Sequence, residues 1–348
     1  KVVILYPTTK LKKDYMSKKT LDCAILRLGG KEKEAVCFQV QNDETGFMDI
    51  RSGIRSRKIE KNQLVVVMEN TGMYCFELCC FLEATGIDYC VLNPLHVKLS
   101  FGLVRGKNDK LDSVRLASYA RLHREELKCT HLSSRVIIHL KELIAERKHY
   151  TNALAALKNF DQEPKPKECL LTNERVREAK TFWEEKIQAV EKEMLELVCQ
   201  EPDLLENYNL LVSIKGIALV NAINTIVYTN NFTLFTNARK YACYIGIAPF
   251  EYTSGTSVKG RTRVCKAGAK SLKADLSMAA RSAVAYDNDI KTYYQRKKDE
   301  GKHFGVVLNA VKFKLVERMF AVVKRRKPYV DIYKYKSQIA RDQAQLAI

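Results

Sequence analysis

The chain has 348 residues, 46% of them hydrophobic and 28% charged, with a formal net charge of +19 and an isoelectric point near 9.4. That length exceeds one compact domain, and the balance describes a folded protein and not a disordered one. The positive field disfavours cationic ligands and points to a polyanionic partner, nucleic acid foremost.

The opening segment Lys1 to Pro7 is too short for a leader core, and runs such as Leu64 to Met68 are too short to span a bilayer, so a cytoplasmic location is expected. A Lys-rich stretch then leads into Ser17 to Leu26, a hairpin-like entry to a strand. A second strand, Ala35 to Val40, follows Gly29-Gly30, and Glu44 to Arg57 reads as a helix. Leu64 to Met68 is a continuous β-branched run, the pattern of a central strand covered on both faces. It ends at Glu69, and Asn70-Thr71-Gly72 leads to an apolar helix. In that helix Cys75, Cys79 and Cys80, the densest group among eleven cysteines, lie beside Phe76, Leu78, Phe81 and Leu82. No second Cys or His pair at zinc spacing accompanies them, so reduced thiols on an apolar helix face are expected. Tyr89 to Leu92 is another buried strand, stopped by Asn93-Pro94. Alternating strands and helices predict an α/β sheet, whose functional groups collect at the carboxyl ends of strands, where Glu69 sits.

Lys107 to Arg115 opens a helix in which Asp109 and Asp112, three apart, share one face. Such a pair is either a first turn favoured by the helix dipole or a set of oxygen ligands for magnesium. From Val136 to Leu157 and again from Val176 to Leu197 apolar residues recur at threes and fours, with Pro164 and Pro166 between. This predicts a helical hairpin or a coiled-coil pair, serving as a spacer or as a subunit interface. Leu211 to Val220, with Lys215 and Gly216, is similar to a helix-hairpin-helix turn that brings backbone N–H groups to a phosphate, and equally fits an ordinary helix-helix turn. After Gly246-Ile247-Ala248-Pro249 comes the turn Tyr252 to Ser257. Lys259, Arg261, Arg263, Lys266 and Lys270 then read as a phosphate-tracking loop leading into a helix. The last helix, near Phe304 to Val323, closes on Lys324 to Lys327, a solvated basic end or a further backbone contact.

Ser17 to Leu26, Val65 to Gly72, Asn93-Pro94, Lys107 to Arg115 and Ser213 to Lys273 together resemble the DEDD-type transposases of the insertion-sequence-110 family. The resemblance covers nearly the whole chain. It implies a RuvC-like, ribonuclease-H-like α/β domain over 1–128, a coiled-coil helical hairpin over 129–205 and a mainly helical C-terminal transposase domain over 206–348. It further implies that Glu69, Asp109 and Asp112 are three of four acids holding Mg2+, and that Ser254 joins DNA covalently as a phosphoserine, with Ser257 the alternative nucleophile. The fourth acid is expected where this chain has Tyr15. Asp14 is adjacent, but a one-residue shift in a strand reverses the face. Implied partners are donor and target DNA, a noncoding guide (bridge) RNA, and further copies of the chain in a dimer or tetramer where the acids of one subunit meet the serine of another. The implied setting is the nucleoid of a prokaryotic cytoplasm. A catalytically inert nucleic-acid-binding descendant and a metal-dependent junction nuclease are the competing expectations.

Overall fold

The computed structural model describes residues 2–7, 19–27, 29–60, 63–100, 109–162, 170–254, 258–265 and 268–331, without the side chains at 2–7, 73, 109–110, 170–171, 252–254, 258–259 and 261–262. The chain divides into two compact units, Lys1–Leu132 and Ser133–Ile348.

The first unit is built on strands β1 (Val2–Pro7), β2 (Thr20–Leu26), β3 (Val36–Gln41), β4 (Val65–Glu69) and β5 (Tyr89–Leu92), with helices α1 (Glu44–Ser56), α2 (Phe76–Thr85), α3 (Pro94–Ser100) and α4 (Asp109–Leu122). The strands lie in the order β3-β2-β1-β4-β5. β1 pairs antiparallel with β2 and parallel with β4, and β4 pairs parallel with β5. This is the α/β layering expected of the RuvC-like domain. The opening segment, which in the sequence is notable only as too short for a leader, is a strand of the sheet.

The β-branched run of β4 is explained by what covers it. Val66 and Met68 enter a core with Phe47 and Ile50 of α1 and Leu78 and Leu82 of α2. Val67 faces the opposite way, into Leu116, Ala117 and Ala120 of α4. Because successive strand residues alternate in direction, both faces must be apolar. Ser113, Leu116, Ala117 and Ala120 form the buried stripe of α4, and its two alanines let the helix lie close to the sheet. Beyond α4 the Thr130 N–H donates to the Tyr89 carbonyl at 2.7 Å, and its hydroxyl accepts from the Val91 N–H at 2.9 Å. That segment therefore runs beside β5 and extends the first unit to Leu132, past the expected boundary at 128.

The second unit opens with two long helices, α5 (Arg135–Gln162) and α6 (Leu170–Gln200), and continues through α7 (Pro202–Val212), α8 (Leu219–Thr229) and α9 (Ala238–Ile245) to strands β6 (Pro249–Ser254) and β7 (Val258–Val264). Helices α10 (Lys270–Tyr286), α11 (Asn288–Asp299) and α12 (Phe304–Arg325) follow. Helices α5 and α6 pack as a hairpin. Arg147 Nε donates to Glu191 at 2.7 Å, the Tyr150 and Trp183 rings lie 5.3 Å apart, and Lys158 pairs with Glu184 at 3.0 Å. The expected Pro164-Pro166 break lies outside the described residues. At the base of the hairpin, Leu140, Leu143, Val190 and Met194 belong to the same core as Leu211, Ile223, Leu276 and Leu315. Among the described residues the apolar stripes of α5 and α6 are continued by those of α7 and α8, across the boundary expected near 205.

Candidate functional site

In the first unit, parity along β4 fixes the direction of Glu69. Val65 and Val67 pack on the α4 side of the sheet, and Glu69, two residues further, shares that side. Its backbone is in register with Leu92. The next turn is set by Asn70, whose Oδ1 accepts from the Gly72 N–H at 3.1 Å while Gly72 takes φ +73°. α4 opens at Asp109, one turn before the buried Ser113. Asp112 is largely buried, with 18% side-chain exposure, and accepts from Arg115 Nη1 at 2.7 Å.

These carboxylates are hard oxygen donors of the kind magnesium takes. The described residues supply two of the expected four, and Asp112 already has a cation beside it. Among the described residues no three acids, histidines or cysteines stand together as a metal cluster. The Asp109 side chain, Asp14 and Tyr15 lie outside the description, and β1 itself contains no carboxylate. The ten described cysteines are all free thiols. Cys75, at the start of α2, donates its thiol to the Gly72 carbonyl at 3.1 Å and Cys79 donates to Met68 Sδ at 3.8 Å; the neighbouring Cys79 lowers the pKa of Cys75, while Cys75 and burial raise that of Cys79.

In the second unit Ser254 is the last residue of β6 and lies in register with Val258 of β7. The stretch read as a phosphate-tracking loop is therefore largely a strand. Lys259, Arg261 and Arg263 stand on β7, and a bulge between Phe250 and Tyr252 shifts their pairing. Lys266 and Ser257 lie outside the described residues. Arg263 is exposed, and Lys270 is the exposed first residue of α10.

The root of this β-hairpin is firmly mounted. Gly246 caps α9 at φ +79°, and a Cβ on Gly268 would come within 2.5 Å of Gly246 Cα. That approach explains the glycine at both places. Lys273 Nζ donates to the Gly246 carbonyl at 2.9 Å and Asn309 Nδ2 to the Ile247 carbonyl at 2.8 Å. Buried Lys312 lies near Lys273 and Arg281; burial first, then those two cations, lower its pKa. Sequence reasoning missed this cationic group, because an isolated lysine on an apolar helix gives no signal.

Lys215 and Gly216 occupy the expected turn between α7 and α8. Lys215 Nζ is bound to Asp331 at 2.6 Å. A Cβ on Gly216 would meet the Ala279 carbonyl of α10 at 2.7 Å, so internal packing already accounts for both residues. At the basic end of α12, Arg326 pairs with Glu206, and Lys324 and Arg325 are exposed.

Residues 16–160 match a family profile described as a transposase of the DEDD, IS110 type. Residues 208–295 match a second, the transposase IS116/IS110/IS902 family. The pilin gene-inverting proteins of Moraxella bovis and Moraxella lacunata are each 24% identical over 302 residues, spanning 83% of this chain and 88% of the relative. An uncharacterized 43.6 kDa protein of insertion element IS110 from Streptomyces coelicolor is 29% identical over 139 residues, 39% of this chain and 34% of that protein. The two matches are similar to transposases of one group, and the first spans β2 to β5 and α1 to α4 but not β1. Among the described residues no helix is long and apolar enough to cross a membrane.

Proposed function

We propose that the chain is a DNA transposase or DNA-inverting recombinase that cuts and rejoins strands through a covalent link to Ser254. The observation that carries the reading is the placement of Glu69 at the end of β4, on the sheet side covered by the helix that bears Asp112. It is joined by the two transposase matches. The gene-inverting activity named for the Moraxella relatives is a DNA rearrangement of this kind.

A serine hydroxyl is a weak nucleophile and a phosphodiester resists attack by its charge. Glu69 and Asp112, with Asp109 and Asp14, would hold a magnesium ion, which when bound polarises phosphate oxygens. Ser254, at the tip of a hairpin with an anchored root, attacks phosphorus. A new Oγ–P bond forms, the bond from phosphorus to one strand end breaks, and the hydroxyl proton passes to the departing oxygen. The incoming strand end reverses the step and frees the serine. Arg263, Lys259, Arg261, Lys266 and Lys270 hold the backbone by charge, while Lys215 and Gly216 would add a backbone contact only where Asp331 releases the lysine. A noncoding guide RNA pairing with donor and target DNA, and a dimer or tetramer that brings acids and serine together from different subunits, complete the proposal. The charge of +19 fits the RNA partner as it fits DNA.

The test is recombination of a supercoiled plasmid carrying donor and target sites, with magnesium and the RNA that copurifies. Ser254→Ala and Glu69→Gln are expected to abolish product while DNA binding persists, and Ser257→Ala to retain activity. Full recombination by Ser254→Ala would reject the nucleophile. A second reading, an inert nucleic-acid-binding descendant, is favoured by one observation, that Tyr15 stands where the resemblance expects the fourth acid. It predicts no product from the unaltered chain, and restoration by Tyr15→Asp would point to the missing acid as the cause.

A further inference from the structure

Within the second unit, α5, α6, α8 and the start of α10 enclose a cavity of about 360 Å³. Its floor carries acceptors. Asn224, 4% exposed, donates its amide to Asp275 Oδ2 at 3.0 Å. That bond fixes the amide orientation, because the reverse would set oxygen against the carboxylate. Asn224 Oδ1 is then left buried, with no partner among the described residues. A buried acceptor without a donor is costly and rare, and this one belongs to a residue of the cavity wall.

The rim is cationic. Lys148 and Arg147 of α5 and Lys270 of α10 stand on it, Arg147 being tied on its far side to Glu191 of α6. α10 begins there with no side-chain cap from Ala269, so its first N–H groups favour an anion. Ile144, Met194 and Ile223 supply apolar wall. A free anion is repelled by the acidic floor, and a metal ion by the rim. A ligand that presents N–H donors at one end, a flat apolar middle and a negative charge at the other satisfies every part.

We propose that this cavity takes one unpaired nucleotide, with the donor edge of its base on the Asp275 carboxylate, which Asn224 holds in place, and its phosphate against Lys148, Lys270 and the start of α10. Guanine is the base that fits, since its N1–H and N2–H groups are adjacent donors matched to a carboxylate and no other base offers that pair. Burial pushes the Asp275 carboxyl up while Arg147, Lys148 and the Asn224 amide pull it down, so two donors from a ligand would complete its stabilisation. Unpaired bases read on their Watson–Crick edges are a common mode of single-strand recognition. The inference rests on the nucleic-acid reading above and assigns that partner a chemical preference.

The test is calorimetric titration of the full chain with the four nucleoside 5′-monophosphates, beside a salt titration of its binding to a plain DNA duplex. GMP is expected to bind at least about tenfold more tightly than AMP, CMP or UMP. Asp275→Asn, with an unchanged urea midpoint, is expected to erase that preference, and Lys270→Ala to weaken all four alike. Equal binding of all four, a preference that survives Asp275→Asn, or no mononucleotide binding would overturn the proposal. Duplex binding that persists beside such a failure confines the loss to the cavity; duplex binding lost as well removes the nucleic-acid reading too.

Discussion

Gly216 shows how one residue fixes a turn. It adopts φ +92°, and an added Cβ would lie 2.7 Å from the Ala279 carbonyl and 2.9 Å from Ala283 Cβ. Left-handed strain and overpacking act together, so Gly216→Ala is predicted to destabilise the second unit by about 2–4 kcal/mol, read as a lower urea midpoint. A change under about 0.5 kcal/mol would contradict that packing. Lys312 behaves oppositely. It is 6% exposed, and burial and its cationic neighbours lower its pKa. The charged form is the penalised one, and stability rises with pH between the lowered value and the unfolded value of about 10.5. Lys312→Met is therefore predicted to stabilise the chain by about 1 kcal/mol at pH 7, with the gap narrowing as pH climbs through that window. Chemical denaturation across pH checks both sign and window. Glu69 was legible in the sequence because a strand pattern ends on it. Asn224 and Asp275 were not, since their significance is the absence of a donor, a property of packing and not of residue spacing.

At the scale of elements, the helical hairpin is a continuation of the second core. Leu140 is fully buried in it, so Leu140→Ala is predicted to cost about 2–5 kcal/mol and to lower the unfolding transition of the whole second unit. Asn152→Ala, exposed further along the same helix, is predicted to change stability by less than about 0.5 kcal/mol. Equal effects would show that the base of the hairpin unfolds independently. Both long helices were legible because apolar periodicity over many turns leaves little choice. The β6–β7 hairpin was not. Lys259, Arg261 and Arg263 occupy alternate positions of a strand with few apolar residues, so the period-2 signal is written in cations and resembles a basic loop. The order β3-β2-β1-β4-β5 was likewise hidden, because β1 joins the sheet between strands distant in sequence and its own pattern does not name its neighbours.

At the scale of the molecule, a charge of +19 on 348 residues makes long-range attraction to polynucleotide the first event, and catalysis depends on what that attraction brings together. On the proposed reading, the acids of one unit and the serine of the other act only if DNA reaches both, whether within one chain or between copies. The account stands or falls on where the covalent bond forms. Quenching a reaction on supercoiled substrate, digesting the DNA and mapping the modified peptide by mass spectrometry reads this directly. A nucleotide remnant on Ser254, absent in Ser254→Ala and in Glu69→Gln, is the predicted result. A remnant on any other residue, or strand exchange with no protein-bound DNA, would contradict it.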